Sequence, residues 1–347
     1  MNTPYLSLTI TQIIEEIPEV KTFVFGGADA QAIRYQPGQY LTLVAHDAHG
    51  EVRRSYSITS APAAGELLSI GVKRIENGFL SRQLIDHARV GDTVQTIGAA
   101  GFFTLPEDLS AYGQIFFWAA GSGITPIYSL IKTLLHTQPN LPMVLVYSNH
   151  SPQTTIYRQE LIQLAMQYPA QLQVRFIDSV TPRLAEARLH RQLLEDLVRQ
   201  YAVVSPDEIL CYVCGPENYR RLCLYGLREV GVPADNIRQE TFSTTKVVSK
   251  ITPPDTAPHS VEILYQGQVY PLQVQYPDTI LQAARNAGLM LPYSCEAGRC
   301  GNCAATCLEG NVWMSYNEVL TDRDLARGLT LTCVGYPVGG DVKLEVR

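Results

Sequence analysis

Cys295-Glu296-Ala297-Gly298-Arg299-Cys300-Gly301-Asn302-Cys303 is the stretch on which the reading of this chain turns. Its spacing is C-x4-C-x2-C, and a further cysteine follows at Cys333. That is the spacing of plant-type [2Fe–2S] ligation. Two small irons and their bridging sulfides need four thiolates close together. A tight loop supplies three of them and a returning strand the last. Gly298 and Gly301 let the backbone wrap closely and aim N–H groups at sulfur, which tunes the reduction potential. Zinc sites favour two separated C-x2-C pairs. Here three cysteines share one loop and one stands apart, so Cys295, Cys300, Cys303 and Cys333 are the expected metal ligands. Cys307, four residues past Cys303, is expected to be a buried core thiol on the following strand.

Around this loop, residues 259–347 read as one domain. Val261 to Tyr265 and Gln268 to Gln275 form a hairpin-like pair, and Thr279 to Ala287 is a helix that ends at Gly288. Ahead of it, residues 244–258 contain Thr252-Pro253-Pro254-Asp255-Thr256-Ala257-Pro258, which continues neither a helix nor a central strand. This is a linker with an extended reach on the order of 45 Å. From 108 to 243, strands at Ile115 to Ala120, Met143 to Tyr147, Leu172 to Ile177 and Ile209 to Cys214 alternate with helices from Pro126 and near 156–167, 186–200 and 217–230. That alternation implies a parallel sheet with helices on both faces. Residues 1–107 carry short alternating strands between Gly26-Gly27, Pro37-Gly38 and His49-Gly50, with one helix near Ser81 to Ala88. They imply an antiparallel β-barrel or sandwich.

The whole chain has 347 residues and a net charge of −6, with no basic run or aromatic-basic stripe to suit nucleic acid. Met1 to Pro18 lacks a positive n-region and contains Glu15 and Glu16, so it does not read as a signal peptide. The longest apolar run, Ile115 to Ala120, is too short to span a membrane. A soluble, cytoplasmic protein is expected. Eight cysteines without a secreted context are expected as metal ligands and thiols, not as disulfides.

Two further motifs stand upstream. Arg54-Ser55-Tyr56-Ser57 offers a cation, an aromatic face and a hydroxyl, which suit a flavin's pyrophosphate, ring system and N5. Asn77-Gly78-Phe79-Leu80-Ser81 opens a helix, either to hold a pyrophosphate or with Ser81 as a plain N-cap. Ala120-Gly121-Ser122-Gly123-Ile124-Thr125-Pro126 joins a strand to a helix, a turn that lets a pyrophosphate approach the backbone. Cys214-Gly215-Pro216-Glu217 closes the last strand. Cys211 and Cys214 are three apart on that strand and point to opposite faces, so they form neither a disulfide nor a metal site. Cys211 and Cys223 are expected in the core.

In this order, R-x-Y-S, G-x-x-S, G-x-G-x-T-P and C-G-P resemble the ferredoxin–NADP⁺ reductase superfamily over residues 1–243. Residues 259–347 resemble a plant-type ferredoxin, a β-grasp fold of the α+β class, with Pro292-Tyr293-Ser294 before the loop and Leu329 to Thr332 before Cys333. The complete chain resembles oxygenase reductases of the phenylacetyl-CoA oxygenase reductase type. The resemblance implies FAD on Arg54, Tyr56 and Ser57, with Val72, Lys73, Gly78, Leu80 and Ser81 near its phosphates. It implies NAD(P)H along Gly121, Gly123, Thr125, Cys214, Gly215 and Pro216, and Glu240 and Phe242 in a segment closing over the flavin.

The expected activity is an electron splitter: hydride from NAD(P)H to FAD, then single electrons through the [2Fe–2S] cluster to a partner protein. Hydride transfer needs alignment and no acid or base from the protein, and Ser57, Thr125 and Cys214 are the expected aligning residues. The expected partner is an oxygenase component. The alternatives are a desaturase, a cytochrome or a hybrid-cluster protein as acceptor, FMN in place of FAD, or a redox-sensing iron–sulfur module. No acid follows the second strand of the nucleotide domain, where Tyr147-Ser148-Asn149-His150-Ser151 stands. Arg158 or Arg188 is available to a 2′-phosphate, which tips the expectation toward NADPH. Residues 259–347 hold six Lys/Arg against nine Asp/Glu, a net of −3 that suits solvation or a basic partner.

Overall fold

The computed structural model describes residues 5–47, 50–242 and 251–346. They form two compact units, one of Tyr5–Ala99 with Phe103–Thr241 and one built on Phe242–Arg347.

The first unit opens with six antiparallel strands: β1 (Leu6–Ile17), β2 (Val20–Gly26), β3 (Tyr40–Asp47), β4 (Gly50–Ser57), β5 (Ser69–Lys73) and β6 (Thr93–Ala100). Their order is β4-β3-β6-β1-β2-β5, and a bridge between Ile58 and Ile70 brings the two ends together into a barrel. Alternation along the strands turns Leu8, Ile10, Phe23, Phe25, Leu41 and Leu43 into one core. Helix α1 (Ala28–Ala32) lies along β1 and β2, and α2 (Phe79–Arg82) runs on into a wider turn over Gln83–His87. Leu80, Leu84 and Ile85 of that segment complete the barrel core.

The second part of this unit is a parallel sheet of β7 (Gln114–Ala120), β8 (Met143–Asn149), β9 (Leu172–Asp178), β10 (Ile209–Cys214) and β11 (Ile237–Glu240), in the order β11-β10-β7-β8-β9. Its helices are α3 (Ile124–Thr137), α4 (Arg158–Gln167), α5 (Arg191–Tyr201) and α6 (Glu217–Glu229). Phe117, Leu145 and Tyr212 pack with α3 and α4 on one face. Phe116, Trp118, Val213 and the helices α5 and α6 pack on the other. Covering both faces explains why these strands read as unbroken apolar runs. Two helices start later than their apolar patterns suggest. Tyr157 holds φ 56°, so α4 begins only at Arg158. His190 Nδ1 accepts the Leu193 N–H at 3.3 Å and caps α5.

The second unit contains β12 (His259–Tyr265), β13 (Gln268–Val274), α7 (Ile280–Asn286), β14 (Ala304–Glu309), β15 (Val312–Met314), α8 (Asp322–Ala326), β16 (Leu329–Leu331), β17 (Gly335–Pro337) and β18 (Val342–Val346). Gln266 and Gly267, at φ 51° and 75°, make the two-residue hairpin between β12 and β13. The sheet order is β13-β12-β18-β14-β16, and a separate β15–β17 pair stands beside it. Helix α7, fixed by a Thr279–Gln282 capping box, buries Ile280, Leu281 and Ala284 against Val261, Ile263 and Leu344. This is the β-grasp expected of the ferredoxin-like segment.

Residues 251–258 contain no regular element, and residues 243–250, which include the start of the expected linker, lie outside the described residues. Asp255 fastens the end of the proline-rich stretch. It accepts from His259 Nε2 at 2.7 Å and from the N–H groups of Gly339 and Ala257 at 2.9 Å each. Among the described residues no helix is long and apolar enough to cross a membrane.

Candidate functional site

The cysteine loop enters from buried Leu291 and Tyr293. Cys295, Cys303 and Cys333 are buried and Cys300 is half-buried. The thiols stand as two contacting pairs, Cys295 with Cys300 and Cys303 with Cys333. Among the described residues no three His, Cys, Asp or Glu side chains converge as a single-ion site needs. Two thiol pairs suit two irons, each taking one pair. The loop geometry depends on glycine. Gly298 has φ +69°, and a Cβ there would lie 2.7 Å from the Tyr316 carbonyl oxygen. The Ala297 N–H points at Cys295 Sγ at 3.4 Å. The Cys295 thiol is held below its ordinary pKa, first by the Cys300 thiol and then by the N–H groups of Arg299, Ala297 and Cys300. Cys303 is tied to the distant segment through its carbonyl, which accepts both the N–H and the hydroxyl of Thr332 at 3.1 Å. Asn302 Nδ2 is a buried donor with no hydrogen-bond partner inside the loop sequence that surrounds the thiols. Four thiols in two pairs, with N–H donors turned toward them, fit a [2Fe–2S] group.

Cys307 departs from expectation. It is half-buried, and its thiol faces the carbonyl oxygens of Glu309 and Gly310 at 3.4 and 3.5 Å. It packs at the margin of the domain core, and a register shift follows it between Cys307 and Glu309 on β14.

A second cluster of groups lies at the C-terminal edge of the parallel sheet. Gly121-Ser122-Gly123 forms a tight turn into α3. A Cβ on Gly123 would sit 2.1 Å from the Cys214 carbonyl oxygen, so only glycine lets this turn pass the end of β10. A Cβ on Gly215 would lie 2.9 Å from the Ala120 Cβ, and Pro216 is the N-cap of α6. Cys211 and Cys214 face opposite sides of the sheet and join different cores, which rules out a shared bond or metal. Thr125 gives its hydroxyl to the Ser122 carbonyl at 2.9 Å. Its methyl meets Gly71 of β5, where a Cβ would approach it to 2.6 Å. Gly71 is a point at which the nucleotide turn meets the barrel, and no motif marks it in the sequence.

Glu240 on β11 pairs with Cys214 on β10. Its Oε2 is buried with no partner, and burial pushes its carboxyl up to about 8. Burial, and then Glu240, push the Cys214 thiol up as well. A carboxyl raised in the folded chain keeps its proton while the unfolded chain loses it. Stability from this group is therefore complete below about pH 4.5 and lost progressively up to about pH 8, by at most about 1.4 kcal/mol per pH unit. Glu240→Gln is expected to remove that loss. Thermal melts from pH 5 to 8 test it, and a constant difference between wild type and variant would exclude the effect. At the far side of the same edge, Asp178 Oδ1 is also buried and unpartnered. Asp178 stands opposite Asn149 in the sheet, and its Oδ2 meets Arg158 at 3.4 Å. Orphaned polar atoms along this edge fit a polar nucleotide.

The flavin-type residues lie on the barrel. Arg54 is exposed on β4 and bonds the Arg53 carbonyl at 2.7 Å. Tyr56 is half-buried, with its hydroxyl pKa raised by burial, and Ser57 is buried. On β5, Val72 points into the barrel core and Lys73 is exposed. Gly78, not Ser81, is the cap of α2. Ser81 Oγ accepts the Ile75 N–H at 3.2 Å and donates to the Gly78 carbonyl at 3.3 Å. It thereby closes the 75–78 turn and leaves the first-turn N–H groups, including that of Leu80, without helical acceptors. Phe242 is 47 % exposed. A cleft of about 910 Å³ between β3, β6 and α2 is lined by His46, Leu80, Arg82, Asp86 and His87. Arg54, Tyr56 and Ser57 do not line it.

Residues 7–105 match the model of an oxidoreductase FAD-binding domain and residues 117–223 that of an oxidoreductase NAD-binding domain. Residues 264–338 match a 2Fe-2S iron-sulfur cluster binding domain. The ferredoxin reductase component of 3-ketosteroid-9-alpha-monooxygenase from Rhodococcus rhodochrous is 32% identical, over 97% of this chain and 96% of that protein. The chain belongs to the oxygenase reductase family. A component of 1,2-phenylacetyl-CoA epoxidase from Escherichia coli (strain K12) is also 32% identical, over 99% of this reductase and 98% of its relative. Phthalate dioxygenase reductase has the same fold, with a TM-score of 0.60 at 22% identity, over 99% of this chain and 98% of that one. The reductase is an oxidoreductase in which FAD-binding, NAD-binding and [2Fe–2S] domains follow one another along the chain.

Proposed function

We propose that the reductase accepts hydride from NAD(P)H and delivers single electrons to an oxygenase component, with the Cys214–Gly123–Thr125–Gly71 contacts carrying the alignment. The domains are assigned as FAD-binding over 1–107, NAD(P)-binding over 108–243, linker over 244–258 and ferredoxin-like over 259–347. FAD, when bound, supplies the conversion of one two-electron step into two one-electron steps, and the cluster supplies one-electron exit. The protein's own part is positioning. Arg54 neutralises the pyrophosphate, with Gly78, Leu80, Ser81 and Lys73 beside it. Tyr56 offers its ring face, and Ser57 its hydroxyl. Gly121, Gly215 and Pro216 admit the dinucleotide backbone, and Glu240 stands at the edge of the site.

The observation that carries this reading is the double close approach at the sheet edge. Gly123 abuts the end of β10 at Cys214, and Thr125 abuts β5 at Gly71. A nicotinamide guided by Thr125 and Cys214 is thereby presented to the barrel strand beside Val72. Cys214→Ala is expected to slow flavin reduction in stopped-flow mixing on the order of tenfold while FAD affinity holds. An unchanged reduction rate would remove Cys214 from the alignment. Arg158 and Asp178 divide the two nucleotides: a ribose hydroxyl would donate to Asp178, and a 2′-phosphate would take Arg158 from it. Initial rates with NADH and NADPH separate these.

Eight cysteines, four of them read here as cluster ligands, suit a reducing, cytoplasmic compartment.

A further inference from the structure

The cluster loop carries a buried cation that the ligand spacing does not require. Arg299 sits one residue before Cys300, its side chain is 9% exposed, and its N–H is among the donors to the Cys295 sulfur. Glu318 meets it from the opposite wall, with Oε2 2.9 Å from Arg299 Nε and the side chain 15% exposed. The Glu318 N–H donates to the Gly298 carbonyl at 3.0 Å, and the Tyr316 hydroxyl donates to Glu318 Oε2 at 2.9 Å. The Arg299 guanidinium also lies 5.6 Å from the Tyr316 ring centre. Residues 316–318 therefore form an outer wall over the loop and hold the carboxylate in one place. The other ion pair of the loop, Arg285 with Glu296, is longer at 3.4 Å and more open, at 41% and 27% exposed.

We propose that Glu318 is a positioning residue that sets the reduction potential of the cluster by neutralising Arg299. This rests on the reading of Cys295, Cys300, Cys303 and Cys333 as [2Fe–2S] ligands. Reduction adds one negative charge to the cluster, so an uncompensated cation nearby favours the reduced state and an uncompensated anion disfavours it. Net charge close to the sulfurs is one of the levers on such potentials. Burial leaves this pair little screened by solvent, in contrast with the exposed Arg285–Glu296 pair.

The test is a redox titration of the purified full-length holoprotein, followed by visible absorbance and by the electron paramagnetic resonance of the reduced cluster. Iron and sulfide are counted in every sample. Glu318→Gln is expected to shift the midpoint upward and Arg299→Gln to shift it downward, with the double variant falling between the two. Arg285→Gln is expected to shift it less than Arg299→Gln. Singles that move the midpoint in the same direction, or leave it unmoved with the cluster intact, overturn the proposal. Should Glu318→Gln lose its cluster, the ordering of wild type, Arg299→Gln and the double variant still decides. Loss of the cluster from the double variant, which has no unpaired charge, would make the pair a structural clamp and overturn the proposal too. Wild-type protein without two irons and two sulfides would instead overturn the ligand reading itself.

Discussion

Cys333→Ser is expected to abolish electron delivery beyond the flavin while leaving NAD(P)H oxidation by ferricyanide close to wild type. The reason lies in the two thiol pairs. In the proposed ligand set Cys333 alone comes from outside the 295–303 loop, and its partner in contact is Cys303. Removing it leaves one iron position with a single thiolate, and a hydroxyl does not replace that soft donor. Ferricyanide can take electrons from the flavin-bearing part, whose barrel and parallel sheet have cores of their own. Reduction of cytochrome c, an acceptor of single electrons, is expected to fall to background. The checks are an iron and sulfide count, the visible spectrum and the ratio of the two activities. A variant that keeps two irons, two sulfides and full cytochrome c reduction would exclude Cys333 as a ligand.

Gly123→Ala is expected to be nearly as severe at the other end of the electron path. Its φ is −61°, so alanine meets no backbone strain. The obstacle is the Cys214 carbonyl oxygen, 2.1 Å from the new Cβ. Backbone cannot rotate away as a side chain can, so either the turn or the end of β10 must move. Overpacking of this kind costs about 1–3 kcal/mol. A displacement of an ångström in the nucleotide turn is enough to slow hydride transfer on the order of 100-fold. Gly121→Ala is the matched control. Its Cβ meets nothing within 4 Å, but its φ is +53°, so the expected penalty is modest strain with no collision. Flavin reduction rates at saturating NAD(P)H compare the two. Equal rates in both variants would mean that Gly123 serves the turn's conformation alone.

The features legible in the sequence were those whose chemistry is contiguous. Three cysteines in one loop, a strand with residues three apart on opposite faces, and proline crowding after residue 251 each carry their meaning locally. The features that escaped are contacts made across the fold. Gly71 looks like any strand glycine until β5 is seen against Thr125. The acid sought after the second strand of the nucleotide domain is absent there. The neighbouring strand β9 places Asp178 beside Asn149 instead, and a search along one segment cannot find a residue delivered by lateral pairing. Helix starts moved for local reasons of a different kind. Tyr157 adopts a positive φ that no residue-type rule assigns to tyrosine. His190 caps through a ring nitrogen although it is outside the usual capping set. Cys307 lies at the margin of the core just before an irregular register, which apolar alternation does not reveal.

Thr332 binds the Cys303 carbonyl twice, and β14 and β16 pair immediately beyond it, at Ala304 and Leu331. These bonds, made wholly by polypeptide, bring the third and fourth thiols together before any iron is needed. The chain entropy of closing the span from Cys303 to Cys333 is thereby offset in part by sheet formation. Closure of this span therefore has a polypeptide contribution that is independent of the cluster. A small domain that folds only around its metal has no such contribution.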